Sequence, residues 1–169
     1  ARRCLTEAIQ RRKILAEIKA GDAENSYWRI KYALPSKVPL VSILIPFRDR
    51  VELLETCLSS IRRTVRYPKY EIILLDNEST HSNTKEYLDK LKKEKDVRLV
   101  KVGGEFNYSK INNIGVGFAK GELLLLLNND VEAIEHGWFE EMVSHAIRPE
   151  VGCVGAKLLY PDNTIQHGG

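Results

Sequence analysis

Hydrophobic positions along this chain follow two periods, and the periods alternate. Leu5, Ile9, Leu15 and Ile18 recur at near-helical spacing over residues 1–20, and Gly21 supplies a stop. Across 22–37 the pattern breaks, and Tyr27, Trp28, Tyr32, Pro35 and Ser36 read as an irregular linker pinning aromatic rings onto a neighbour. A domain then starts near Val38. Residues 40–45 form a solid apolar run, and 52–63 return to helical spacing through Leu53, Leu54, Cys57, Leu58 and Ile61. The alternation continues with strands over 71–75, 98–102, 123–127 and 151–156, and helices over 82–93, 109–119 and 137–147. This rhythm predicts an α/β fold: a mostly parallel sheet with right-handed crossovers and helices on both faces, preceded by an N-terminal helix. Strands that are apolar throughout are expected to be covered on both faces.

Composition narrows the function classes. With 43% hydrophobic and 29% charged residues in 169, the chain reads as an ordinary globular protein. No apolar run approaches the roughly 20 residues that span a bilayer. A net charge of +3 is too small to argue for nucleic acid. Much of the basic excess sits early, at Arg2, Arg3, Arg11, Arg12 and Lys13, either a solvated helix face or a peripheral contact for an anionic membrane surface. Cys4, Cys57 and Cys153 lack metal-site spacing and read as buried thiols in a reducing compartment. The expected location is the cytoplasm, including the inner face of a membrane.

Parallel sheets bind ligands beyond the carboxyl ends of their strands, at the switch in strand order. The first strand of the domain ends in Pro46-Phe47-Arg48-Asp49-Arg50, with no glycine. That disfavours a dinucleotide fold and a nucleotidyltransferase, both of which need a glycine-rich loop there. Phe47 could pack on a base and Arg48 hold a phosphate, or the segment is a plain turn. The second strand ends in Asp76-Asn77-Glu78-Ser79, where a carboxylate can accept from a ribose hydroxyl or base N–H, or close an Asx turn. The third leads through Asn107 to Ser109, a natural N-cap, in front of Asn112 and Asn113, which either face a ligand or form a structural clamp. The fourth runs straight into Asn128-Asn129-Asp130. Polar groups at the mouth of a buried strand are costly unless solvated or paired. Asp130 can cap a helix, or complete an Mg²⁺ or Mn²⁺ shell with diphosphate oxygens and waters.

The order of these segments resembles glycosyltransferase family 2, inverting enzymes of the GT-A fold, in the manner of bacterial polysaccharide and O-antigen members. The resemblance rests on residues 41–49, 71–79, Asn113-Ile114-Gly115, Ala119-Lys120-Gly121-Glu122, Asn128-Asn129-Asp130 in the place of a D-x-D, and 151–169; together it covers about 38–169. It implies two segments: 1–37, a helix and linker, and 38–169, the nucleotide-sugar-binding part. It implies that Pro46, Phe47, Arg48 and Asp49 line the nucleotide pocket. Asp76 and Asn77 would meet the base or ribose. Ser109 and Asn113 would shape the diphosphate side, Asn107, Asn128 and Asn129 would belong to the nucleotide-binding set, and Asp130 would hold Mn²⁺ or Mg²⁺. The implied partners are a nucleoside-diphosphate sugar and a glycan or lipid-linked acceptor. Asn128 replaces the first acid of the D-x-D, which implies weaker metal affinity. The family's catalytic base lies downstream of the matched region, so none is assigned; Glu132, Glu135 and Asp162 follow Asp130 without that role. The resemblance thus implies a glycosyltransferase domain that transfers a sugar from a nucleoside diphosphate to an acceptor with inversion and metal assistance; the alternative is a nucleotide-sugar-binding module without turnover in this fragment, and the expected exposed apolar surface favours self-association. His167 lies in a stretch that the resemblance puts near the cleft.

Overall fold

The computed structural model describes residues 1–21 and 27–168. In chain order the elements are α1 (Arg2–Arg11), β1 (Ala16–Ala20), β2 (Trp28–Tyr32), β3 (Val41–Phe47), α2 (Val51–Thr64), β4 (Tyr70–Asp76), α3 (Ser82–Leu91), β5 (Val97–Lys101), α4 (Tyr108–Val116), β6 (Leu123–Leu126), α5 (Trp138–Ala146), β7 (Leu158–Leu159) and β8 (Ile165–His167). They form two compact units. One is Val38–Gly137; the other combines Ala1–Lys37 with Trp138–Gly169.

The unit Val38–Gly137 is an α/β layer structure around a four-stranded parallel sheet of order β5-β4-β3-β6. All seven residues of β3 are buried, as are the last five of β4. Alternation divides them between the sheet faces. Leu44, Ile73, Leu75, Val100 and Val102 pack with Ile111 of α4 on one side. Ile43, Ile45, Ile72 and Leu74 point to the other, and none of them is measurably exposed. The helices α2 and α3 bury Leu54, Cys57, Leu58, Ile61, Leu88 and Leu91.

One residue decides where this sheet opens. The pairing of β3 with β4 runs on to Phe47↔Asp76, but its pairing with β6 stops at Leu44↔Leu126. The Leu44 carbonyl accepts from the Leu127 N–H, so the backbone polar groups of Leu44 face β6. Two residues on, Pro46 faces the same way and has no N–H to offer. The ladder cannot continue past it, and the ends of β3 and β6 part.

In the other unit, β1 and β2 form an antiparallel hairpin with Ala16↔Tyr32, Ile18↔Ile30 and Ala20↔Trp28 in register. Helix α5 packs on β2. Arg29 pairs with Glu141 at 3.1 Å, Arg148 lies 4.2 Å over the Tyr32 ring, and His145 meets that ring edge-on at 5.0 Å.

Several sequence expectations change here. The helix expected over 1–20 ends at Arg11, and 16–20 is a strand. The Ile14 N–H bonds to the Ile9 carbonyl and the Lys13 N–H to that of Gln10, a Schellman closure with Lys13 at φ 54 where glycine is usual. The linker expected over 22–37 contains β2; its part at 22–26 lies outside the described residues. The strand expected over 151–156 is irregular backbone. Pairing begins only at Leu158, where Pro161, Asp162 and a left-handed Asn163 (φ 66) turn the chain back into β8. The run at 123–127 is not buried on both faces: Leu124 and Leu126 are 46% and 48% exposed, so the face of β6 that carries them is left partly uncovered. Cys57 alone of the three cysteines is buried; Cys4 and Cys153 are exposed.

Candidate functional site at the strand ends

The order β5-β4-β3-β6 places the first strand of the unit beside the fourth. The chain winds outward from β3 to β5 and then returns to the other side of β3. The switch in winding therefore falls between β3 and β6, where Pro46 ends the ladder. A crevice at such a switch is where open α/β sheets take ligands. The residues bordering it are Pro46, Phe47, Arg48 and Asp49 on one side and Asn128, Asn129 and Asp130 on the other.

These candidates divide into two groups. Arg48, Asn128 and Asp130 are exposed and Asn129 is half-buried, and among the described residues none of their side chains is held by a hydrogen bond or ion pair. Exposed Asn113 on α4 is equally uncommitted. The second group is built into the scaffold. Asp49 Oδ1 accepts from the backbone N–H of Thr80 (3.0 Å) and His81 (2.9 Å), and Oδ2 accepts from the Thr80 hydroxyl at 3.3 Å. The Asp49 N–H donates to Ser79 Oγ at 2.8 Å. This staples the loop after β3 to the loop after β4. It also holds Asp49 and Arg50 in the left-handed region, both at φ 49. Burial pushes the Asp49 carboxyl up, but the His81 and Thr80 N–H groups, the His81 charge and the Thr80 hydroxyl outweigh it and leave the pKa lowered.

Asp76 accepts from the Ser79 N–H at 2.9 Å, so the Asx turn is formed, and its residue is 6% exposed. Asn77 donates to the carbonyls of Val102 and Gly104, both at 3.0 Å. With both neighbours acceptors, the amide orientation is fixed and Oδ1 is left buried without a partner. Phe47 is buried, so its ring forms floor rather than an open platform. The cap of α4 is not Ser109 but Asn107, whose side chain accepts from the Lys110 N–H at 2.9 Å; Ser109 is exposed in the first turn. Asn112, not Asn113, is the buried clamp, donating to the Tyr108 carbonyl at 2.9 Å. His167 is exposed in β8.

The helix-cap alternative for Asp130 does not survive, since the next helix begins at Trp138. Among the described residues no three His, Cys, Asp or Glu side chains converge on a common point. The donor set at the end of β6 is one exposed carboxylate flanked by two carboxamides, oxygen donors that suit Mg²⁺ or Mn²⁺ when a ligand supplies the rest of the shell. The negative charge of Asp130 is felt by Cys57 on α2, whose thiol is pushed up to about 12, by burial first and by Asp130 second.

Residues 42–167 match the model of glycosyl transferase family 2. The chain belongs to that family. It is 44% identical over 169 residues to the O-antigen biosynthesis protein RfbC of Myxococcus xanthus, covering 99% of this chain and 13% of that protein. The chain thus spans a small part of that relative's length. Among solved structures it is similar to the mannosyltransferase PcManGT from Pyrobaculum calidifontis in complex with GDP-Man and Mn²⁺, with a TM-score of 0.60, 22% identity, and coverage of 70% of this chain and 35% of that one. It is also similar to GalNAc-T7 with UDP, GalNAc and Mn²⁺, with a TM-score of 0.60, 23% identity, and coverage of 76% and 24%. At that identity the likeness speaks for the fold, an α/β fold of the GT-A type.

Sequence reasoning missed the residues of α2 that hold the segment on either side of Asp130: Cys57, Ser60, Arg63 and Thr64. Their partners lie about 70 positions away, as for Ser60 and Ala133, whose separation is 73. No local pattern carries such a pairing.

Proposed function

We propose that this chain carries the donor-binding part of a glycosyltransferase that moves a sugar from a nucleoside diphosphate to an acceptor with inversion, helped by Mn²⁺ or Mg²⁺. The observation that carries the reading is the set of uncommitted polar side chains, Arg48, Asn128, Asn129 and Asp130, on the two sides of the β3/β6 switch. The domain reading is that 38–169 form the nucleotide-sugar-binding part and 1–37 precede it. The ligands in the PcManGT and GalNAc-T7 structures, a nucleotide or nucleotide sugar with Mn²⁺, support the donor class. The name of the Myxococcus relative supports a role in building a surface polysaccharide on a glycan or lipid-linked acceptor.

In this reading Arg48 holds a phosphate by its fork of donors. Asp76 meets the base or ribose, with Pro46, Phe47, Asp49 and the buried Asn77 shaping that side. Asn107, Ser109, Asn113, Asn128 and Asn129 border the diphosphate, and Asp130 holds the cation. A bound cation would offset the charge that builds on the departing diphosphate. The acceptor oxygen attacks the anomeric carbon from the face opposite the diphosphate, forming one C–O bond as the other breaks. The setting is the cytoplasm, with the basic residues of α1 against an anionic membrane face.

Calorimetric titration of the chain with UDP, GDP and dTDP, with and without Mn²⁺, tests the reading. One base should be preferred. Mn²⁺ should tighten the diphosphate and leave the free nucleoside unaffected, and Asp130→Ala should remove the Mn²⁺ increment. Diphosphate affinity that EDTA leaves untouched would remove Asp130 from the site.

A further inference from the structure

Asp130 stands in a loop that has no regular structure between Leu126 and Trp138. A metal ligand on a loop must be held by something. Four residues on α2 reach that loop. The Cys57 thiol lies 3.7 Å from the Asn128 carbonyl. Ser60 Oγ accepts from the Ala133 N–H at 3.0 Å while donating to the Cys57 carbonyl at 2.7 Å. Arg63 Nη2 donates to Glu132 Oε1 and to the Ala133 carbonyl, both at 3.1 Å. His136 Nδ1 lies 3.0 Å from the Thr64 carbonyl. Positions 57, 60, 63 and 64 share one helical face by their spacing. The loop is therefore fastened before Asp130, at Asn128, and after it, at Glu132, Ala133 and His136. Among the described residues, no hydrogen bond holds Asn129, Asp130 or Val131 between the fastenings.

Ser60 is the central point. It is 2% exposed, and its one hydroxyl both satisfies a helix carbonyl and accepts the Ala133 N–H. A plain helix face would need no hydroxyl there. Arg63 grips the next peptide, so Ala133 is held through both its N–H and its carbonyl.

The geometry points to α2 as the rail that positions Asp130, with Ser60 and Arg63 as positioning residues for the metal-dependent part of donor binding. The inference rests on the donor-site reading and extends it to residues that never touch the ligand. Removing either residue should leave the chain folded, since Arg63 has a half-exposed side chain and serine to alanine in a helix raises propensity. The loop would lose its register, and the carboxylate would be presented over a wider range of positions.

The test uses Ser60→Ala, Arg63→Ala and the double variant beside the parent chain and Asp130→Ala. Affinity for UDP, GDP and dTDP is measured with and without Mn²⁺, bound Mn²⁺ is counted by electron paramagnetic resonance, and thermal unfolding is followed in parallel. The expected result is a loss of roughly tenfold in Mn²⁺-dependent affinity for the double variant, a smaller loss for each single one, and unchanged metal-free affinity. A double variant that keeps the parent's Mn²⁺ increment overturns the inference while the donor reading stands. An Arg63→Ala variant that loses metal-free and metal-dependent affinity together also overturns it, because the residue would then be holding the whole unit. If the parent chain shows no Mn²⁺ increment, the donor reading fails first and the inference falls with it.

Discussion

At the scale of single residues, Asp49 shows how a candidate binding residue can be a structural staple. Its carboxylate accepts three hydrogen bonds from Thr80 and His81, and its backbone N–H donates to Ser79 Oγ. Hydrogen bonds to a buried charge contribute about 1.5–3 kcal/mol each in favourable cases. Because the folded-state pKa is lowered, the charged form contributes stability above the unfolded pKa, and that contribution disappears as pH falls through the lower, folded value. Asp49→Asn keeps the shape and tolerates the left-handed backbone. It should cost on the order of 1–3 kcal/mol at pH 7 in urea unfolding, with the deficit shrinking at pH values below the ordinary 3.8, where the parent also becomes neutral. A deficit that does not change with pH would mean that the charge plays no part. The sequence showed Asp49 as one acid in Arg-Asp-Arg, and nothing local marks a partner more than 30 positions away. The uncommitted set was more legible. Arg48, Asn128 and Asp130 stand where an apolar run stops, and an apolar strand ending in polar groups is visible in one dimension.

At the scale of elements, the four strands of the parallel sheet were legible because β3, β4 and β6 are dense apolar runs and β5 a short run around Leu99 and Val100, each framed by helical spacing. The hairpin of β1 and β2 was not. Ile18 serves a period of two as well as a period of 3.6, and Lys13 ends α1 with the backbone conformation of a glycine. The turn before β6 was visible only as a motif, Lys120-Gly121, and the structure supplies its cause. The Gly121 N–H donates to Ser42 Oγ at 2.8 Å, the Lys120 N–H donates to Glu71 at 2.7 Å, and Ser42 donates to that same carboxylate at 2.7 Å. A Cβ at Gly121 would lie 2.6 Å from the backbone nitrogen of Ser42, in a strand that cannot retreat. A Cβ at Gly115 would meet the Leu75 and Leu44 side chains at 2.7 and 2.8 Å, which can rotate aside. Gly121→Ala should therefore lower the melting temperature more than Gly115→Ala, with a cost of about 1–3 kcal/mol or more at Gly121. Equal losses at the two positions would show that β3 can yield where the contacts say it cannot.

At the scale of the whole molecule, burial is unevenly distributed, and the proposed chemistry goes with the best-buried part. Every residue of β3 is buried, whereas α1 buries none. Backbone amides exchange with solvent through local openings whose free energies run from near zero at thinly packed elements to the global value in core strands. Amides of β3 and β4 should thus be the slowest to exchange in this chain, and those of α1 and of the β1–β2 hairpin much faster. A nucleoside diphosphate bound at the β3/β6 switch adds stability only to segments it touches or whose opening would release it. With UDP, GDP or dTDP and Mn²⁺ present, protection should rise over 46–50, 76–81 and 128–137 and stay level over 2–20 and 28–32. In the proposed reading the rise over 130–137 should require the metal, because Asp130 would meet the diphosphate only through it, whereas the rise over 76–81 should persist with nucleotide alone. Hydrogen exchange read by mass spectrometry resolves these segments. Protection that appeared first on the hairpin, or that was uniform along the chain, would place the nucleotide elsewhere than at the opening Pro46 makes in the sheet.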